Sequence, residues 1–146
     1  MTESQQETIV VFNQLHVAEM NTLLPRLLEM NLSVSWAAAP LFEVAKKLAE
    51  AAREHREWLV EAIQDQRGAV WPVTLDPRTA NLHYLSLDAI TPMVIRNLDQ
   101  LVRNYQQVAS NKSLTPDSAE LISRIGRRYD TYLRQLQDLC SAMSVI

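Results

Sequence analysis

A glutamate and a histidine carry the clearest chemistry in this chain of 146 residues. Glu19 lies in the run Phe12, Leu15, Glu19, Leu23, Leu27 and Met30, whose steps of three and four trace one helix face. His55 lies in a second such run, with Leu41, Val44, Leu48, Ala52, Leu59 and Ile63. Both side chains are therefore expected on inward stripes of neighbouring helices. A carboxyl group and an imidazole each lose much solvation when buried alone. Facing one another, they would share a hydrogen bond or serve together as metal ligands.

Two irons in a helical bundle need more than this pair. Such a site takes a Glu from each of two helices and a Glu-x-x-His from each of the other two. Three residues before His55 stands Ala52, and Glu54 and Glu57 are turned off the stripe by one and two helical steps. The fourth helix offers Tyr129 and Tyr132, with Gly126 one turn earlier, and the third offers Asn97 or Met93. Two donors in place of six are too few for two hard, carboxylate-preferring ions. Glu19 and His55 thus read as a vestigial metal pair, with no catalytic residue and no cofactor. The alternative is iron, completed by Glu54, Glu57 or a second chain. Tyr129 and Tyr132 read as core aromatics whose hydroxyls need partners, or as a redox pair beside a metal.

The elements that would position these residues are helices. Only Gly68 and Gly126 occur as glycines, so tight hairpin turns lack their usual residue. The spacing predicts helices over 5–31, 39–67, 87–110 and 116–143 in a single domain spanning 1–146. Pro25 should bend or split the first. Gly68 should end the second. Ser86 or Thr91-Pro92 should open the third, on the stripe Ile90, Val94, Leu98, Leu101, Tyr105 and Val108. Thr115-Pro116 should cap the fourth. Between helices 2 and 3, AVWPVTLDPRTANLHYLS has two prolines and no helical period. That length suits a crossover from one end of a bundle to the other, giving an all-α four-helix bundle of ferritin-like connectivity with one long crossover.

Composition excludes several classes. A net charge of −3 offers no basic surface for nucleic acid, and no apolar run approaches a membrane span. A single cysteine, Cys140 on the last apolar stripe, suits a reducing compartment and burial, and MTESQQET carries no leader pattern. The simplest location is the cytoplasm. His16 is expected at the surface or a helix seam, and His83 in the crossover packing on Tyr84. Trp36, Trp58 and Trp71 either mark an interface or pack on the protein's own loops.

With these residues in place, FNQLHVAEMN resembles the first-helix segment of bacterioferritins around their metal-binding glutamate, which would be Glu19. REHREWLVEAI resembles the second-helix segment that carries the ligand histidine, His55, and Trp36 matches a tryptophan common in the first connection. The chain is thus similar, over its first half, to a divergent ferritin-like protein. The resemblance implies a bundle that pairs as a homodimer through its first two helices. The haem methionine of that family would fall at Arg53, so no haem is implied. The departures at Ala52, Gly126, Tyr129 and the third helix imply a structural, regulatory or partner-binding role and not an enzyme. The alternative is an iron-binding or diiron-type oxidoreductase or iron-storage protein using Glu19 and His55.

Overall fold

The computed structural model describes residues 2–27, 39–74 and 86–143. Four helices hold most of them: α1 (Glu3–Met20), α2 (Ala39–Asp65), α3 (Leu87–Ala109) and α4 (Pro116–Met143). Among the described residues the regular elements are all helical, and three helices keep the expected bounds to within two residues.

α1 is shorter than the periodicity predicts. Its N-terminus is a reciprocal cap, in which Thr2 Oγ1 accepts from the Gln5 N–H at 3.1 Å and Gln5 Oε1 accepts from the Thr2 N–H at 2.9 Å. The helix stops at Met20 and a short 3-10 turn follows over Leu24–Arg26. Pro25 is the cause: it lacks an N–H, and its ring would strike the carbonyl of Asn21 in a continuous helix. The apolar stripe survives the break, because Leu23, Leu24 and Leu27 remain buried in the turn. Met30, Trp36 and the end of the expected first helix lie outside the described residues, as do His83 and Tyr84.

The other helices follow their signals, with two adjustments. Ser86, not Thr91-Pro92, caps α3 by accepting from the Ala89 N–H at 3.2 Å; Thr91 is buried inside the helix and donates to the Leu87 carbonyl at 2.6 Å. Thr115 caps α4 as expected, accepting from the Ser118 N–H at 3.3 Å. At the end of α2, the Gly68 N–H bonds the Ile63 carbonyl and the Arg67 N–H bonds the Gln64 carbonyl, each at 2.9 Å. This is the Schellman pattern, and its left-handed position is held by Arg67 at φ 63°. Gly68 serves a different purpose. A Cβ there would lie 2.7 Å from Ile9 Cγ2, so its bareness lets the chain pass against α1.

Tertiary contacts fix the arrangement. α1 packs on α2, α2 on α4, α4 on α3 and α3 on α1, which leaves α1 diagonal to α4 and α2 diagonal to α3. Ser4 at the start of α1 bonds the Ser113 carbonyl in the turn between α3 and α4, while Leu23 after α1 donates to Asn97 in the middle of α3. Ile9 and Asn13 meet the chain just past α2. α1 and α4 therefore run one way and α2 and α3 the other. α2 ends and α3 begins at opposite ends of the group.

The inward stripes form the core. Leu48, Ala52, His55, Leu59 and Ile63 of α2 are fully buried, as are Ile90, Leu98 and Tyr105 of α3 and Ile122, Ile125 and Tyr129 of α4.

Candidate functional site: a polar layer in the core

Four polar side chains, one from each helix, meet inside the bundle. Glu19, His55, Tyr105 and Tyr129 are all 0% exposed. The expected direct hydrogen bond between Glu19 and His55 does not form. Instead Tyr129 reaches diagonally across the core, and its hydroxyl donates to the Glu19 carboxyl group, contacting Oε1 and lying 2.7 Å from Oε2. The His55 ring stands edge-on to the Tyr129 ring, with centroids 4.5 Å apart and planes at 89°. The Tyr105 ring also neighbours that of Tyr129, with centroids 5.9 Å apart and planes at 49°. Sequence periodicity thus places both Glu19 and His55 inside. It misses Tyr129 as the group between them, because a stripe gives direction but not height along the bundle.

Local sequence makes room for this layer. Ala52, one turn before His55, is fully buried. Gly126, one turn before Tyr129, has no Cβ, and one built there would sit 3.0 Å from Tyr105 Cβ. These are the two positions where a longer acidic ligand would have to stand, and Tyr105 occupies the space beside the second. Asn97, the third-helix candidate, faces elsewhere: its Oδ1 accepts from the Leu23 N–H at 2.9 Å and ties down the turn after α1.

Burial sets the charge state of the layer. Desolvation pushes the Glu19 carboxyl up to about 8, against the downward pull of the Tyr129 hydrogen bond and the Arg56 charge. Glu19 is thus a neutral acid at pH 7. The His55 imidazole is pushed down to about 3 by burial and by the positive charges of Arg128, Arg56 and Arg124. Both tyrosines are raised well above their ordinary value, first by burial and then by Glu19. The layer is therefore uncharged near neutrality. Three of its atoms make no hydrogen bond to protein: both His55 nitrogens and the Tyr105 hydroxyl oxygen.

Comparison with protein-family models, characterised proteins and solved structures finds no match.

The other singled-out residues are placed as follows. Glu54 bonds Arg128 at 3.3 Å, and Glu57 lies 3.9 Å from Arg53 at the surface, so neither enters the layer. Among the described residues, no three His, Cys, Asp or Glu side chains gather in a way that could hold an ion. His16 sits at the α1–α2 seam, lining a groove of about 310 Å³ with Arg56 and Glu57. Burial and the Arg56 charge lower its imidazole. Tyr132 is only partly buried, so the inner aromatic partner of Tyr129 is Tyr105 of α3. Trp58 packs against the core and carries Arg124 and Arg128 over its ring at 4.7 and 5.1 Å, whereas Trp71 is 39% exposed. Cys140 is half-buried against the core. No described helix is long and apolar enough to cross a membrane.

Sequence reasoning did not find Asn13. It is fully buried on α1, its Nδ2 donates to the Ala69 carbonyl at 3.0 Å and its Oδ1 accepts from the Trp71 N–H at 2.8 Å. An asparagine on an apolar stripe was the available signal.

Proposed function

We propose that this is a ferritin-like bundle whose two-metal site is degenerate and whose role is structural, regulatory or partner-binding. The observation that carries the reading is the Glu19–Tyr129 hydrogen bond: a phenol of α4 occupies the carboxyl group that a diiron centre would need as a ligand. Ala52 and Gly126 supply no carboxylate beside it. The up-down-down-up order of the helices supports the ferritin-like assignment, since that order demands one long connection between the second and third.

The same reading includes a homodimer formed on the α1–α2 face. Arg53, Arg56, Glu57 and Glu61 mix both signs of charge along the groove there, a pattern that suits a second copy of the same face. Ferrous iron added in air, followed by its rate of oxidation, tests the non-catalytic role, and solution mass tests the dimer. Oxidation no faster than in buffer and twice the chain mass are expected. Repeated protein-dependent turnover, or a monomer at all concentrations, contradicts the respective claim.

One observation favours a second reading, an iron-binding protein using Glu19 and His55. His55 presents two buried ring nitrogens without a protein partner, and an uncharged imidazole is a ready metal ligand.

A further inference from the structure

Trp58 lies at the α2–α4 seam. Its ring packs against that of the buried His55, with centroids 5.3 Å apart, and carries the guanidinium carbons of Arg124 and Arg128 at 4.7 and 5.1 Å from its centroid. The two arginines stand one turn apart on α4, where like charges repel. Three of the four arginines of α4 have a carboxylate oxygen within 3.3 Å: Arg127 meets Glu120, Arg128 meets Glu54 and Arg134 meets Asp130. Arg124 is exposed and has no such partner among the described residues. The cluster thus holds two cations and one anion, and carries one spare positive charge in a chain whose net charge is −3.

We infer that this α2–α4 face is a docking surface for a partner protein, and that an acidic side chain of the partner binds there with its carboxylate on Arg124 and Arg128. One carboxylate neutralises the spare charge. A phosphate dianion would exceed it and meet the Glu54 carboxylate beside Arg128. A guanidinium stacked on an aromatic ring has its planar fork already oriented, so less freedom is lost when a carboxylate arrives. Tryptophan and arginine are also the side chains on which binding energy concentrates in protein interfaces. The inference rests on the partner-binding role proposed above and names the chemistry that the partner presents. The homodimer is proposed on the α1–α2 face, so the two contacts use different seams of the bundle.

The test reads Trp58 fluorescence in the full chain carrying Trp36→Phe and Trp71→Phe, titrated with a hexaglutamate peptide. A saturable change is expected, with a midpoint that rises with salt, and none is expected with hexalysine. Arg124→Gln should weaken binding by about fivefold, the upper end for an exposed ion pair. Arg127→Gln, on the same helix but away from Trp58, should leave it unchanged. Circular dichroism confirms that each variant remains helical. No saturable change, equal losses in the two arginine variants, or the same response to inorganic phosphate overturns the docking surface. So does a change that follows chain concentration without peptide, since a second copy would then be the occupant. A missing peptide response beside ferrous oxidation no faster than in buffer removes this surface and leaves the non-catalytic reading standing, so the two failures are distinguishable.

Discussion

The Tyr129 hydroxyl of α4 donates to the Glu19 carboxyl of α1 across the diagonal of the bundle, 2.7 Å from Oε2. Two helices that barely touch elsewhere are thereby joined at the centre of the core, and His55 of α2 is left against the Tyr129 ring without a hydrogen bond of its own.

Acid and base should destabilise the protein through different residues. Glu19 is raised from 4.5 to about 8, so the folded state holds a proton that the unfolded chain loses; its contribution is complete below pH 4.5 and is lost as pH rises towards 8. His55 is lowered from 6.5 to about 3, so its contribution is complete above pH 6.5 and is lost as pH falls towards 3. Between pH 4.5 and 6.5 the two slopes oppose each other. Thermal midpoints should therefore show a plateau there and fall on both sides. Glu19→Gln should flatten the alkaline limb and leave the acid limb; a steep alkaline limb in that variant would place the titration elsewhere.

The end of α2 holds removable strain. Arg67 adopts φ 63°, where glycine is at ease and a side chain is not. Arg67→Gly should stabilise by about 0.5–1 kcal/mol. Gly68→Ala should destabilise, since the new methyl group would meet Ile9. Urea midpoints of the two variants should move in opposite directions, and equal movement would mean that the Schellman ending is absent.

How much of this was legible beforehand varied with distance along the chain. Helix bounds and inward stripes were readable because caps and the 3.6-residue period are local signals, as at Thr115 and along Leu48 to Ile63. The break after Met20 was half readable: Pro25 forbids a continuous helix but does not say where the chain turns. The partner of Glu19 was not readable. Tyr129 and His55 both point inward, and only the relative heights of α1, α2 and α4 decide which one meets the carboxyl group. Arg67 was missed for a different reason, since glycine one position later drew the assignment of the left-handed residue.

Asn13 should matter more than its single place on α1 implies. Asn13→Ala removes the α1 donor and acceptor that hold the chain leaving α2, so the Ala69 carbonyl and the Trp71 N–H lose their partner. A loss of about 1–3 kcal/mol is expected. Faster hydrogen exchange at the Trp71 amide should accompany it, and an unchanged amide would mean the clasp does not form in solution.

Gly126→Ala offers a test of close packing. In an exposed helix this change gains about 1 kcal/mol. Here the added Cβ would lie 3.0 Å from Tyr105 Cβ, an atom fixed to the backbone of α3. A net loss of thermal stability is predicted, and a gain would show that α3 and α4 are further apart.

The central claim is that Glu19 and Tyr129 are hydrogen-bonded to one another inside the core, and a double-mutant cycle on unfolding free energy measures it most directly. Glu19→Met strands the Tyr129 hydroxyl, and Tyr129→Phe strands the Glu19 carboxyl, so each alone should cost about 1–3 kcal/mol. Together they remove both polar groups, and the double variant should lose far less than the sum of the singles. Losses that simply add would show that the two side chains do not meet.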